Sequence, residues 1–136
     1  NETNFFLTYG DGVSDLNIKK LLKFHKNHKK MCTLTGVNPK PRYGLLELSG
    51  SNILSFKEKK KIRSSFVNAG FFVCKTSIFK YLNKKGQDFE ENILSYLSRK
   101  KELKCFKHSG FWQCMDTLRD KNYLKKLIKN KNAPWI

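Results

Sequence analysis

The sequence lacks long apolar runs, and no stretch of its 136 residues approaches the roughly 20 apolar residues that a membrane-spanning helix needs. This predicts that the protein has no transmembrane helix and no membrane partner. The first residues also lack the basic start and apolar stretch of a secretory signal. The chain starts with Asn rather than Met, and we expect it to be a segment of a longer protein.

Acidic residues and arginine are scarce. The 28 Lys and Arg residues face only 11 Asp and Glu residues, which gives a formal net charge of +17. Such a charge attracts polyanions without specificity. However, only four of the basic residues are Arg, the residue whose planar guanidinium suits base edges and phosphates, and the Lys residues are scattered along the chain. We therefore predict a solvated basic surface and no specific nucleic-acid partner.

The four cysteines form no C-x-x-C pair, and their spacing matches no compact disulfide framework. Each has apolar or aromatic neighbours in sequence, so we expect buried free thiols and a cytoplasmic location. A zinc site drawn from His25, His28 and Cys32 falls short of four ligands at finger-like spacing. The cysteines are Cys32, Cys74, Cys105 and Cys114.

Hydrophobic residues make up 39% of the chain, which is enough to form a core. Short apolar or alternating segments predict strands at 5–8, 31–37, 44–48, 53–56, 66–74 and 103–106, with the fifth interrupted at 68–70. The third and fourth of these strands are expected to form a hairpin that turns near Gly50. Apolar stripes predict a helix that contains Ile18 to His25 and is capped by Asp15, and another that begins near Thr117. Shorter helices are expected near 78–82 and 93–97. Strands that alternate with helices predict an α/β layer fold with a mixed sheet.

Two acidic residues follow predicted strands, where α/β sheets place their ligands. Asp11 lies between Gly10 and Gly12, and Asp116 precedes the last helix. Two carboxylates at such positions suit Mg²⁺, which takes hard oxygen ligands and completes its shell with phosphates. The alternatives are that Asp11 only stabilises a turn and that Asp116 only caps the helix.

Two further features are less specific. Glu58 and Lys59 could contact a sugar and its phosphate, although they lie in a lysine-rich segment that also reads as a solvated loop. Trp112 could line a pocket, but tryptophan is more often a core residue.

Several segments resemble the glucose-1-phosphate cytidylyltransferase family of sugar nucleotidyltransferases. Residues 9–15 read YGDGVSD, residues 110–121 read GFWQCMDTLRDK and residues 133–135 read APW, all of which are similar to family motifs in family order. Residues 43–48 and 67–73 are similar to two of its strands. The resemblance covers essentially the whole chain, and the GFWQ to MDTLRDK block is its most specific part.

The resemblance implies a Rossmann-like fold and an enzyme that joins glucose 1-phosphate to the cytidylyl group of CTP, releasing pyrophosphate. It implies that Asp11 and Asp116 bind Mg²⁺ and that Gly10 contacts the nucleotide. It also implies that Lys59 is a catalytic residue that binds substrate. The other substrate-binding residues that it implies are Gly44, Glu58, Asn68 and Gly70. The full enzyme is expected to be a homo-oligomer.

The chain departs from the family pattern in three places. The family's Glu-Lys-Pro reads Glu58-Lys59-Lys60, and its Asn-Gly-Gly reads Asn68-Ala69-Gly70. The glycine-rich GGxGTR loop that cradles the triphosphate is absent from the sequence. We therefore expect residues 1–136 to be the C-terminal portion of a single nucleotidyltransferase domain, without its N-terminal strands and inactive alone. The alternatives are a related enzyme that uses another base, a basic nucleic-acid-binding module and a degraded remnant.

Overall fold

The computed structural model describes residues 3–39, 43–58, 66–82, 86 and 88–136. The strands are β1 (Asn4–Thr8), β2 (Gly12–Ser14), β3 (Cys32–Val37), β4 (Leu45–Ser49), β5 (Asn52–Lys57), β6 (Val67–Lys75), β7 (Leu103–His108) and β8 (Trp112–Cys114). The helices are α1 (Ile18–His28), α2 (Ser95–Arg99) and α3 (Leu118–Lys129). A 3-10 helix spans Thr76–Tyr81, and a π-helical segment, Phe89–Leu94, runs directly into α2.

Four strands form the central sheet in the order β1-β6-β3-β7. β6 is antiparallel to both β1 and β3, whereas β3 and β7 are parallel, so the sheet is mixed as predicted. The long strand β6 is continuous through 68–70, but its register with β3 shifts there: Leu34 pairs with Phe72, whereas Gly36 pairs with Asn68. The interruption expected from the sequence is therefore a bulge within one strand.

The core lies on both faces of the central sheet. One face presents Cys32, Phe72 and Cys74 to α2 and the preceding π-helical segment, and this cluster is fully buried. The opposite face presents Thr33 and Val73, which are also buried, on the side of α1. Alternate residues of the same strands thus serve two helical layers, which explains why consecutive residues of β3 and β6 are buried instead of every second one.

The starts of the two long helices differ in how well the sequence predicted them. α1 is capped by Asn17, whose side chain accepts a hydrogen bond from Lys20 N at 2.9 Å, so the prediction that Asp15 caps this helix is wrong. Asp15 instead bonds His108 Nε2 at 2.8 Å and thereby ties β2 to the end of β7. α3 begins after Thr117 as predicted, with a capping box completed by Asp120.

Two smaller two-stranded sheets accompany the central one. β4 and β5 form the predicted hairpin, turning at Gly50. β2 and β8 pair as an antiparallel ribbon that the sequence did not predict, because three-residue strands are too short to show a two-residue period. We call this pair the β2–β8 ribbon.

The described cysteines are all free thiols. Cys32 and Cys74 are buried and face each other across β3 and β6, with their sulfurs 3.2 Å apart. Cys105 is exposed, because its side chain lies on the outer strand β7, so the expectation that all four are buried is wrong. Among the described residues, no helix is both long and apolar enough to cross a membrane.

Candidate active site

The β2–β8 ribbon brings the two candidate metal ligands to the same end of one small unit. Gly12 pairs with Cys114, and beyond this pair Met115 N donates to the Asp11 carbonyl at 2.8 Å. Asp11 therefore lies directly across from Met115, the residue that precedes Asp116, although more than 100 residues separate the two acids in sequence. Both are exposed, so solvent and ligands reach them.

The surroundings of Asp116 distinguish it from a helix cap. Thr117 is the residue that caps α3, through its own hydroxyl and the carboxylate of Asp120, so the alternative in which Asp116 caps the helix is wrong. The Cys114 thiol donates to Asp116 Oδ2 at 3.1 Å. Asp116 therefore comes between the ribbon and the helix without capping the helix.

The donor set at this end of the ribbon fits a hard divalent cation. Asp11 and Asp116 supply carboxylate oxygens, and the described part of the chain contains no cluster of three or more His, Cys, Asp or Glu side chains suited to a metal. A cation at this end of the ribbon would take its side-chain ligands from these two carboxylates. That is the usual situation for Mg²⁺, which binds one or two carboxylates and completes its shell with water and phosphate oxygens.

The hairpin brings Gly44 and Glu58 together. A β-carbon added at Gly44 would lie 3.1 Å from Glu58 Oε2 and 2.8 Å from the ring of Phe56, so a larger residue would displace one of them. Glu58 is exposed at the end of β5. Lys59, the predicted catalytic lysine, lies outside the described residues.

Asn68 and Gly70 are held by Tyr9 in the central sheet. The Asn68 amide donates to the Tyr9 hydroxyl at 3.2 Å and accepts from Gly70 N at 2.9 Å. Gly70 has a φ of +77°, and a β-carbon there would lie 2.7 Å from the Tyr9 ring, so both its conformation and this contact require glycine. Gly10 differs from Gly70, because a β-carbon at Gly10 would meet nothing within 4 Å.

The Tyr9 hydroxyl also donates to Glu90, which belongs to the π-helical segment. Burial and this carboxylate raise the pKa of Tyr9 to about 12, so the phenol stays protonated and remains a donor at neutral pH. Tyr9 and Glu90 are 81 residues apart, and no local pattern in the sequence indicates their contact.

Trp112 connects the ribbon to this part of the sheet. Its indole Nε1 donates to the Ala69 carbonyl at 2.9 Å, and Ala69 lies between Asn68 and Gly70. The predicted site residues thus form two groups. Asp11, Asp116, Asn68 and Gly70 are joined through the ribbon and β6, whereas Gly44 and Glu58 belong to the separate hairpin sheet.

Comparison with known proteins supports the resemblance found in the sequence. The profile of a family described as nucleotidyl transferase matches residues 1–125. The chain is 44% identical over 131 residues to the glucose-1-phosphate cytidylyltransferases of Salmonella typhi and Salmonella typhimurium. Each alignment covers 96% of this chain and 51% of the relative, so the chain spans about half the length of these relatives.

A solved structure shares the fold. It is described as a glucose-1-phosphate thymidylyltransferase from Bacillus anthracis and superposes with a TM-score of 0.64 at 18% identity. The superposition covers 98% of this chain and 55% of that one. This likeness confirms the predicted α/β fold with a mixed sheet.

Proposed function

The chain belongs to the nucleotidyl transferase family, and from this premise we propose that it supplies the metal and sugar-phosphate side of a glucose-1-phosphate cytidylyltransferase. The observation that carries the proposal is the 44% identity to two such enzymes over nearly the whole chain. The position of Asp11 and Asp116 at one end of the β2–β8 ribbon supports it, because two distant carboxylates there suit a shared cation.

In the proposed reaction, an anionic phosphate oxygen of glucose 1-phosphate attacks the α-phosphorus of CTP. A new P–O bond forms, the bond between the α-phosphorus and the bridging oxygen breaks, and pyrophosphate leaves. The attacking oxygen is already deprotonated at neutral pH, so the reaction needs no general base. The protein contributes positioning and charge stabilisation, as is usual for phosphoryl-type transfer.

Asp11 and Asp116 would hold Mg²⁺ at the exposed end of the ribbon. When bound, Mg²⁺ neutralises phosphate oxygens and helps to orient them. Glu58 would accept hydrogen bonds from sugar hydroxyls, and Lys59 would neutralise a phosphate. The Asn68 amide and the backbone at Gly70 would form the wall of the sugar pocket, and Gly10 would approach the nucleotide through its backbone.

The proposal includes a cytoplasmic location. The spacing of the four cysteines matches no compact disulfide framework, as is usual for proteins of a reducing compartment. The triphosphate cradle is absent from the sequence, so we propose that the 136 residues are inactive alone.

A fusion tests this function. The chain joined behind the amino-terminal half of the Salmonella typhi relative should release pyrophosphate from CTP when glucose 1-phosphate is present. In that fusion, Asp116→Asn should lower turnover on the order of 10²-fold or more, because the cation site loses one of its two carboxylates.

Asp120→Asn is the matched control. It makes the same chemical change four residues away, in a carboxylate that completes the α3 capping box. It should lower stability by about 1 kcal/mol and leave turnover near that of the parent fusion. If Asp116→Asn retained full turnover, Asp116 would not be a metal ligand and the proposal would be wrong.

A further inference from the structure

Trp112 makes a contact that joins the β2–β8 ribbon to strand β6 of the central sheet. It lies in β8 opposite Ser14, and its indole is half-buried. The indole passes close to Gly12, since a β-carbon added at Gly12 would lie 3.6 Å from Trp112 Nε1. The indole N–H then donates to the carbonyl of Ala69, a buried residue of β6. One side chain of the ribbon thus reaches the backbone of the central sheet.

The acceptor lies at an irregular point of the sheet. Between the Leu34–Phe72 and Gly36–Asn68 pairs the register of β6 against β3 shifts, and Ala69 is within that shift. The β2–β8 ribbon is hydrogen-bonded as its own two-stranded sheet, so its ladder does not continue into β6. The Trp112–Ala69 bond therefore links the two sheets directly at the bulge.

We propose that Trp112 is a positioning residue that couples cation binding at Asp11 and Asp116 to sugar-phosphate binding at Asn68 and Gly70. This inference rests on the proposed function, which assigns those two sites. A cation that orders the end of the ribbon fixes β8, and the indole N–H then fixes the Ala69 carbonyl and the residues on either side of it. By linkage, the cation and the sugar phosphate each strengthen binding of the other by the same factor.

Calorimetry on the chain measures this factor. The dissociation constant of glucose 1-phosphate is determined with and without saturating Mn²⁺, and the ratio of the two values is the coupling. We expect a ratio of about 5 or more for the unaltered chain. Trp112→Phe keeps an aromatic ring and removes the N–H donor, so its ratio should fall towards 1.

Trp135→Phe is the matched control, since it makes the same substitution in an indole that stacks on Phe111 at 5.1 Å. Its ratio should remain that of the unaltered chain. A ratio of 1 in the unaltered chain, or an unchanged ratio in Trp112→Phe, would overturn the coupling role.

A second measurement does not depend on the folding of Trp112→Phe. In Trp135→Phe only the Trp112 indole N–H remains in the proton–nitrogen correlation spectrum. That resonance should shift when Mg²⁺ is added to the chain saturated with glucose 1-phosphate. If the chemical shift of this resonance does not change when Mg²⁺ is added under these conditions, the proposal is overturned.

Mn²⁺ binding without sugar separates this inference from the proposed function. Asp11→Asn should weaken Mn²⁺ binding at least about 10-fold. Unchanged Mn²⁺ affinity in that variant contradicts the proposed metal pair itself. Weakened Mn²⁺ affinity together with an unchanged coupling ratio in Trp112→Phe overturns only the role of Trp112.

Discussion

The central sheet and the β4–β5 hairpin are built from similar residues but differ in burial. In β6, Phe72 is fully buried between β1 and β3. In the hairpin, cross-strand pairing places Leu46 beside Phe56 and Leu48 beside Ile53, which gives one apolar face, yet Phe56 is 62% exposed. Alternation therefore predicts which residues share a face of a strand, whereas burial requires a second layer to cover that face.

The difference matters for the candidate site, which takes residues from both regions. Asn68 and Gly70 sit in the buried sheet, where several contacts constrain them. Gly44 and Glu58 sit on the hairpin, which contributes little to the core of the described residues. Changes in the two regions should accordingly have different effects on stability and binding.

Truncating one phenylalanine in each region should give the largest contrast. Phe72→Ala removes a fully buried ring and should lower the free energy of unfolding by about 3–5 kcal/mol. Phe56→Ala removes a mostly exposed ring and should change it by no more than about 0.5 kcal/mol. Urea denaturation of the two variants and the parent chain measures both values. Similar losses in both variants would show that the hairpin face is covered in solution.

Two glycines in left-handed conformation sharpen the comparison. Gly50, in the hairpin turn, has a φ of +57° with nothing within 4 Å of an added β-carbon, whereas Gly70 has a φ of +77° and faces the Tyr9 ring. Gly50→Ala should cost about 1 kcal/mol from backbone conformation alone. Gly70→Ala should cost about 2–4 kcal/mol, because the methyl group also collides with Tyr9. Thermal unfolding compares them, and equal costs would mean that Tyr9 moves aside freely.

The smallest expected effect is a dependence of stability on pH near neutrality. It concerns His28, which packs against the central sheet, because residues 45–57 of the hairpin contain no histidine. His28 Nδ1 accepts from Lys30 N at 2.9 Å, so the neutral ring carries its proton on Nε2 and donates to Thr33 Oγ1 at 2.7 Å. Burial, together with the nearby Lys104 and Lys75, lowers the pKa of His28 below its ordinary value of 6.5. The unfolded chain therefore takes up this proton first as the pH falls.

Neutral His28 therefore contributes to the free energy of unfolding. This contribution is complete above the pKa of His28 in the unfolded chain and is lost as the pH falls from about 7 through the lowered pKa of the folded state. His28→Gln keeps a donor and an acceptor but does not titrate, so its stability should decline less between pH 7.5 and 5.5. Urea midpoints across this range test the difference, and parallel profiles for the two chains would contradict it.

Much of the fold was predictable because it depends on local patterns. The strands of the central sheet, the hairpin, the amphipathic helices and the start of α3 all follow from periodicity and turn residues. The errors lie where the outcome depends on distant partners. Asp15 and Asn17 both have side chains that can cap a helix, but Asn17 caps α1, whereas Asp15 bonds His108, which lies 93 residues away in sequence.

In the candidate site, too, residue types were predictable from the sequence, whereas contacts between distant segments were not. The carboxylates at 11 and 116, the glycines and the asparagine were recognisable from residue type, position and resemblance. The β2–β8 ribbon that brings Asp11 and Asp116 to one of its ends was not, and neither were the contacts of Tyr9 with Glu90 or of Trp112 with Ala69. Each joins segments more than 40 residues apart, and periodicity is informative only about residues within a few turns or strand positions.

By itself, the sequence determined the strands of the central sheet, the hairpin and the two long helices, which of their faces are apolar and which residue types could serve phosphate chemistry. Only the tertiary structure decided which apolar faces are covered, how β6 bulges against β3 and which distant segments meet in the β2–β8 ribbon. The physical reason is that backbone conformation and side-chain chemistry are local properties. Burial and proximity instead depend on which distant segments pair, and that is settled by the free energy of the whole packed chain.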